Sequence, residues 1–539
     1  MKSRKESVIV FSIAFVAGIL SILHVLVGYV KTPPDSLYLW IPHYYLDFFV
    51  FVGGIAQGMR GNWFFENPYT VNDPSKTIMA WWQYVLYGKI FNGFHIPPTV
   101  LYTIIIFLLS FCTVWMMYLI IKRVLVEKHF LLQILTLLFV LFAGPFFNIS
   151  DGKEIFSIVP YNFWQAPATF FDRFDPIPHH LSSTLLSLLI ISLVAKTFDK
   201  IKGFSINQIL FSATYQALFI IFLLTFSPFQ VVNLISAIIL TGLFFLRSLR
   251  LNIFLYTFFI LLYVVASAIL LKLHHQQVPM LVASSQSDVG YQFHPFLKAI
   301  LLTTGPILFF VPFGLWSYFK PVSSLRFLLF SFVATSYVLF SSNLAYLLGS
   351  HNLRFLTTIA YVLFAVLSLL GILQLWKLIA GHGKAAIVII IIAFFLLSLP
   401  PMALHFRVRL IDKNIFSETA YLNKEIIKGF IYIDKIPDNK VILTSPSIFL
   451  GAILPIFADK KVYLGRHAFT PDFESKKVFV THLYNGSIKE SEAIDFLKKN
   501  EIGYVLLAAV DGFSPEGLTN YQFLKPIYKN SSIIIFKVT

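Results

Sequence analysis

Long apolar runs dominate the first three quarters of the chain. They recur near residues 7–30, 98–121, 129–147, 180–195, 206–226, 229–246, 251–271, 297–319, 326–348, 354–376 and 385–405. Each is near the length that crosses a bilayer as a helix, so the pattern predicts about eleven membrane spans at roughly 20 residues apiece. The first run, Val8 to Val30, is too long for a signal-peptide core and lacks a small-residue cleavage site, which predicts a retained span. After Leu404 the pattern changes to short β-type runs alternating with amphipathic stretches. KVILTS (440–445), KVYLG (461–465), GYVLLA (503–508) and SIIIFKV (532–538) predict strands. SETAYLNKEIIKGF (417–430) and KESEAIDFLKKN (489–500) predict helices, the second with Ile494 and Leu497 at helical spacing. The expected fold class is a polytopic α-helical membrane protein with a small C-terminal α/β domain. The expected division is 1–405 for the membrane domain and 406–539 for the soluble one.

Charge orients this scheme. Lys2, Arg4 and Lys5 precede the first run, and Lys122, Arg123 and Lys128 lie between the second and third. Lys196, Lys200 and Lys202, then Arg247 and Arg250, then Lys320 and Arg326, then Lys377 and Lys384 mark every second turn after that. Short basic loops on one side place the N-terminus in the cytoplasm and the C-terminal domain outside, in a multi-pass protein of the plasma membrane. The opposite loops, near 31–97, 146–180 and 272–296, are long. They hold most of the acids of the membrane region, with many Pro, Trp, Tyr and His residues. Binding chemistry favours loops held on a rigid scaffold, so these loops are where a site is expected.

Composition sharpens this reading. The chain is 57% hydrophobic and 13% charged over 539 residues, with a net charge of +16. In a soluble protein that charge would suggest nucleic acid; here it is accounted for by the basic loops, and no nucleic-acid partner is expected. Cys112 is the single cysteine, so no disulfide forms within the chain and no cysteine metal cluster exists.

The first long loop opens with PHYYLDFFVFVGGIAQGMRGNWFFENPYT, residues 42–70, in which Asp47 stands alone among aromatic rings. A lone buried charge is costly, so Asp47 either faces water or meets something polar. On a helix over 46–61, Phe48, Val52, Ile55 and Met59 fall on one face, and Asp47, Gly54, Gly58 and Gly61 on the other. That predicts a helix lying in the membrane interface, apolar face towards lipid, with a glycine strip that allows close approach by another backbone or a ligand. MAWWQYVLYGKIF (79–91) predicts a second interfacial helix, joined to the first by the polar turn NPYTVNDPS (67–75). Simple helix packing beside a solvated Asp47 explains the glycine strip equally well.

The second long loop gathers Asp172, Arg173, Asp175, His179 and His180 in FFDRFDPIPHH (170–180). Carboxylates and imidazoles there could hold a divalent ion such as Mg or Mn, activate a hydroxyl, or bind a phosphate. The same acids also suit a helix N-terminus, and Pro176 and Pro178 fit such a boundary. His351 and Arg354, in SHNLRF (350–355), occupy a short turn where Arg354 could clasp a phosphate or simply snorkel to the interface. His274 and His275 are weaker candidates.

These pieces together resemble the GT-C type of integral-membrane glycosyltransferases, which includes protein mannosyltransferases and bacterial lipid-modifying sugar transferases. The likeness lies in the long first loop with horizontal helices and an early acid, the number of spans, and the soluble C-terminal domain. A poorly characterised bacterial branch is closest, with a first loop resembling D-x7-I-x-Q-G followed by G-x-W and N-P-Y-T. Here those positions are Asp47, Ile55, Gln57, Gly58, Gly61, Trp63, Asn67, Pro68, Tyr69 and Thr70. FDPIPHH and the tail block YLGRHAFTPDFESKKVFVTHLYNG (463–486) also resemble that branch.

The resemblance implies a sugar donor linked to a polyprenyl phosphate, with transfer on the extracytoplasmic face to a hydroxyl of a lipid, glycan or protein. It implies a hexosyl- or pentosyltransferase with an acid of the first loop as base, which falls by position on Asp47, with Asp35 as the alternative. Asp172 or Asp175 would be a second acid. His43, Gln57, Arg173, His179, His180, His351 and Arg354 are the expected substrate-binding residues. Two other classes remain open: a lipid or polysaccharide transporter, and a membrane scaffold without chemistry. Transporters favour polar residues at mid-membrane and internal repeats, whereas the polar content here is loaded on one set of loops.

Overall fold

The computed structural model describes residues 2–71, 73, 75, 77–150, 157–161, 171, 177–290, 292–293, 297–320, 322–379, 383–412, 417, 419–446 and 448–539. Two units emerge from the contacts. One comprises Met1–His24, Ile105–Leu271 and Val289–Leu410; the other comprises Val25–Ile104, Lys272–Asp288 and Ile411–Thr539.

The chain is a multi-pass helical membrane protein, and each of the apolar runs contains helix. Among the described residues, eight helices are long and apolar enough to cross a membrane: Arg4–Val30, Pro98–Val124, Pro178–Gly203, Ile206–Leu224, Pro228–Phe245, Leu251–Gln276, Ile359–Leu378 and Ala385–Ile411. The other three runs depart from the simple expectation for local reasons. The run at 297–319 is broken into Leu297–Thr304 and Pro306–Phe319, bent by 104°. Gly305 sits between them with φ of +83°, a backbone state that glycine adopts freely, and Pro306 follows it. Phe130–Phe142 stops after 13 residues, where Gly144 and Pro145 halt the helix. Ser324–Phe340 runs for 17 residues and ends at Ser341, Ser342 and Asn343.

The backbone is helical without interruption from Pro228 to Gln276, yet it holds two spans. A Cβ placed on Gly242 would lie 3.1 Å from Thr257 Oγ1. Fifteen residues of straight helix rise about 22 Å, so the chain doubles back between these positions. Elsewhere in this unit, glycines bring backbones into contact. A Cβ on Gly314 would overlap the Leu367 carbonyl, and one on Gly371 the Phe310 carbonyl. The helices Val311–Phe319 and Ile359–Leu378 therefore touch main chain to main chain, as small residues permit between apolar helices.

The other unit carries the α/β structure. Its main sheet has four strands in the order Val441–Leu443, Ile502–Ala508, Ile533–Val538, Leu524–Lys529. The first pair is parallel and the other two are antiparallel. The expected strand at 461–465 is reduced to a bridge between Ile442 and Val462. Its other edge is occupied, since Val462 N–H donates to the Pro68 carbonyl at 2.8 Å. The expected helix at 417–430 starts only at Lys424, capped by Asn423, whose Oδ1 accepts from Glu425 N–H at 2.8 Å. Residues Tyr421–Asn423 are held instead as a strand, antiparallel to Ser36–Tyr38. The helix over Glu490–Lys499 follows its apolar spacing, with Ala493 and Leu497 buried.

Within the core of this sheet, the buried Tyr484 hydroxyl donates to the carbonyls of Leu443 and Leu506. Burial there pushes the neighbouring Asp511 carboxyl from its ordinary 3.8 up to about 6, against the pull of Ser445 and the Ala508 N–H. A raised folded-state value means that the stability Asp511 contributes is complete below the unfolded value and is lost as pH climbs through about 6. Asp511→Asn should therefore raise the melting temperature relative to wild type at about pH 7.5 and much less at about pH 4.5. Equal shifts at the two pH values would show that Asp511 is not buried as its acid.

Candidate active site

The helix Tyr45–Met59 forms where the apolar positions predict it, but it does not face lipid. Phe48, Val52 and Ile55 are wholly buried in protein, as are nearly all positions from Leu46 to Gly58. The reason is a shell of aromatic and glycine contacts invisible to a one-helix pattern. Phe51 stacks on Tyr84 with ring centres 4.6 Å apart, Phe48 meets the edge of Tyr102 at 5.1 Å, and Phe49 packs near Phe449 at 6.5 Å. On the small-residue face, Gly58 meets the Val85 carbonyl and Gly88 meets the Ile55 carbonyl, so Trp82–Phe91 crosses in backbone contact. The glycine strip is a seat for another helix. Gly61, expected on that strip, lies beyond the helix end with φ of +114°.

The turn at NPYT is likewise a docking element and not a solvated loop. Asn67, Tyr69 and Thr70 are buried. Asn67 donates from Nδ2 to the Phe469 carbonyl at 2.9 Å and accepts from Tyr69 N–H at 3.0 Å. Thr470 Oγ1 donates to the Tyr69 carbonyl at 2.9 Å and accepts from Gly465 N–H at 3.3 Å. A side chain on Gly465 would collide with the Tyr69 ring. Two motif blocks some four hundred residues apart thus form one interface. A further tie joins Arg60 to the carbonyls of Pro455 and Ile456 at 2.9 and 2.8 Å.

This docking delivers Arg466 to Asp47. Asp47 sits in the first turn of Tyr45–Met59, whose N-cap Tyr44 supplies no side-chain capping bond. Arg466 Nη2 donates to Asp47 Oδ1. The arginine side chain is 11% exposed and the carboxylate 36%. The guanidinium also lies over the Phe469 ring, 5.0 Å from its centre. Its Nε is buried without a partner. Tyr44 and His467 complete the group. Desolvation raises the Tyr44 phenol above its ordinary value, helped by Tyr45 and Asp47 and opposed by Arg466. Desolvation, then the Arg466 charge, lowers the His467 imidazole, against Asp47 and Glu474. The group thus joins a solvent-open carboxylate, a desolvated cation, an imidazole held towards its neutral form and a phenol.

The other expected residues fall as follows. His43 is buried, with Nε2 2.7 Å from the Tyr102 hydroxyl. Both ends of the Gln57 amide bond the Glu66 backbone, at 2.8 and 2.9 Å, which fixes the loop after the helix. Asp35 is exposed beside the Ser36–Tyr38 strand. In the other unit, His179 and His180 start the helix Pro178–Lys200 with ring centres 4.4 Å apart, and Arg354 acts electrostatically on His180. Arg354 rides on a turn braced from below: Gln230 donates to the Arg354 carbonyl at 3.0 Å, and Asn233 to the Phe355 carbonyl at 2.8 Å. His351 is buried in that turn. His274 and His275 end the Pro228–Gln276 helix. Asp172, Arg173 and Asp175 lie outside the described residues. Among the described residues, no three His, Cys, Asp or Glu side chains gather as a metal site would need. Among the described residues, Asp47 carries a guanidinium. Sequence reasoning missed Arg466, although it stands inside the tail block singled out above.

Neither a protein-family model nor a curated protein matches the chain. Among solved structures it is similar to the apo form of the Archaeoglobus fulgidus oligosaccharyltransferase. The TM-score is 0.50 at 12% identity, over 93% of this chain and 69% of that one. Another structure is AglB from the same organism, in complex with an inhibitory peptide and a dolichol-phosphate, with TM-score 0.49, 12% identity and coverage of 93% and 69%. A third is ArnT from Cupriavidus metallidurans bound to undecaprenyl phosphate, with TM-score 0.49, 11% identity and coverage of 98% and 97%. At such identities the likeness is one of fold alone.

The Gly58–Gly88 crossing holds the helix that presents Asp47. Gly58→Ala should overpack it and cost about 1–3 kcal/mol, read as a lower melting temperature in detergent. An unchanged melting temperature would mean the two helices do not touch there.

Proposed function

We propose that the chain is a membrane glycosyltransferase that moves a sugar from a polyprenyl-phosphate carrier to an acceptor hydroxyl on the extracytoplasmic face, with Asp47 as base. The observation that carries this reading is Asp47 itself: a carboxylate open to solvent at the start of an otherwise buried helix, beside a desolvated arginine. A purely structural ion pair has no need of the rigid seat that the glycine crossing and the NPYT interface give it. Fold alone does not decide activity; the motif resemblance supplies the donor class, and the site supplies the chemistry.

In the proposed reaction the acceptor oxygen bonds to the anomeric carbon as the bond from that carbon to the phosphate oxygen breaks. The electron pair leaves with the polyprenyl phosphate, and the acceptor proton passes to Asp47. One displacement inverts the anomeric centre. The leaving phosphate gains negative charge, so fixed positive groups near it lower the barrier. In this reading the N-terminus is cytoplasmic and residues 406–539 are extracytoplasmic, which the short basic loops support, and the acceptor is a lipid, glycan or protein.

The test is transfer of radiolabelled sugar from polyprenyl-phosphate donors by purified protein, with lipid and cell-wall extracts as acceptors. Asp47→Asn should lower turnover about 10²–10⁴-fold, the usual worth of a general base, while the protein stays monodisperse with one melting transition. Full turnover by a folded Asp47→Asn would move the base to another acid.

A further inference from the structure

The Asp47–Arg466 pair poses a chemical difficulty for the reading just given. Oδ1 of Asp47, an oxygen that would receive the acceptor proton, already accepts from the guanidinium. Arg466 in turn is under-used. A guanidinium has five donor hydrogens in a fork suited to two parallel bonds. Its one side-chain hydrogen bond among the described residues is the single Nη2 contact to Asp47, while Nε is buried without an acceptor. An orphaned buried donor carries a desolvation cost until an acceptor arrives.

The two partners also differ in freedom. Asp47 is the more exposed and can be hydrated where it stands, whereas Arg466 is nearly enclosed and cannot turn to water. Its main chain is pinned as well. The Arg466 carbonyl accepts from Phe469 N–H at 2.9 Å, and the flanking Gly465 N–H is held by Thr470. Arg466 therefore gives up Asp47 readily only to another anion. The first N–H groups of Tyr45–Met59, left without a side-chain cap at Tyr44, add a second attraction for an anion at this point.

We infer that Arg466 binds the phosphate of the lipid-linked donor, and that until the donor arrives it masks Asp47: donor binding draws the guanidinium from carboxylate to phosphate and frees the carboxylate to act. The inference rests on Asp47 being the base, and it deepens that reading. It makes the base available only when a donor phosphate is in place, which suppresses idle chemistry on the acceptor. It also makes a residue of the C-terminal segment part of the donor site.

The experiment measures equilibrium binding to the full chain in detergent, with no sugar and no acceptor present. The probes are farnesyl phosphate, farnesol and inorganic phosphate. The variants are Asp47→Asn, Arg466→Gln and Arg466→Lys, each compared at matched monodispersity. Removing the competing carboxylate should tighten farnesyl phosphate binding about tenfold in Asp47→Asn, and Arg466→Gln should weaken it by at least about tenfold. Arg466→Lys should fall between, and it keeps the test alive if Arg466→Gln does not fold. Farnesol should bind all forms alike. Unchanged or weaker farnesyl phosphate binding by Asp47→Asn would overturn the mask. So would unchanged binding by both arginine variants. Inorganic phosphate binding as tightly as farnesyl phosphate would assign the site to free phosphate and overturn the donor role. Because no turnover is measured, failure here is separate from failure of Asp47 as base, which the transfer assay alone reads.

Discussion

The contact on which the rest depends is the docking of Asn67–Thr70 onto Val462–Thr470. It satisfies main-chain carbonyls across the join: Pro68 by the Val462 N–H, Tyr69 by the Thr470 hydroxyl, and Phe469 by the Asn67 side-chain amide. Buried main-chain polar groups must be paired, so this register admits little slippage. Gly465 tightens it, because any side chain there would strike the Tyr69 ring. The consequence is that residue 466 is placed against residue 47 by neighbours on both sides, and not by its own charge alone.

That arrangement explains why a partly exposed ion pair can matter chemically here. Surface pairs between mobile side chains contribute little. This pair has a nearly enclosed guanidinium, a fixed main chain, and a carboxylate at the positive end of a buried helix. The first loop and the C-terminal segment are thereby one structural body, tied again at Arg60 and at the Ser36–Tyr38 strand pair. A change in either segment reaches the site through the other.

Fold-level features were largely legible in the chain. The apolar runs became helices because their length and composition leave the backbone no better way to satisfy itself in an apolar medium. Where the outcome differed, the cause was local. Gly305 and Pro306 bend one run, and Ala143–Gly144–Pro145 shortens another. In the C-terminal segment the helix Ile448–Phe457 left no periodic trace, since it is apolar on all sides and buried among neighbours. The strand Leu524–Lys529 alternates weakly because only its first residue is buried.

By itself the sequence determined the helical membrane class, the small α/β segment, the isolation of Asp47 and the presence of two unusual motif blocks. These follow from composition and from periodicity, which act over a few turns of chain. Only the tertiary structure decided what Asp47 meets. The partner is Arg466, four hundred residues away, and no local pattern encodes a pairing set by the docking of distant backbone. It likewise decided that Phe48, Val52 and Ile55 face protein and not lipid. An apolar face carries the same signature in either surrounding, and only the packed neighbours tell the two apart.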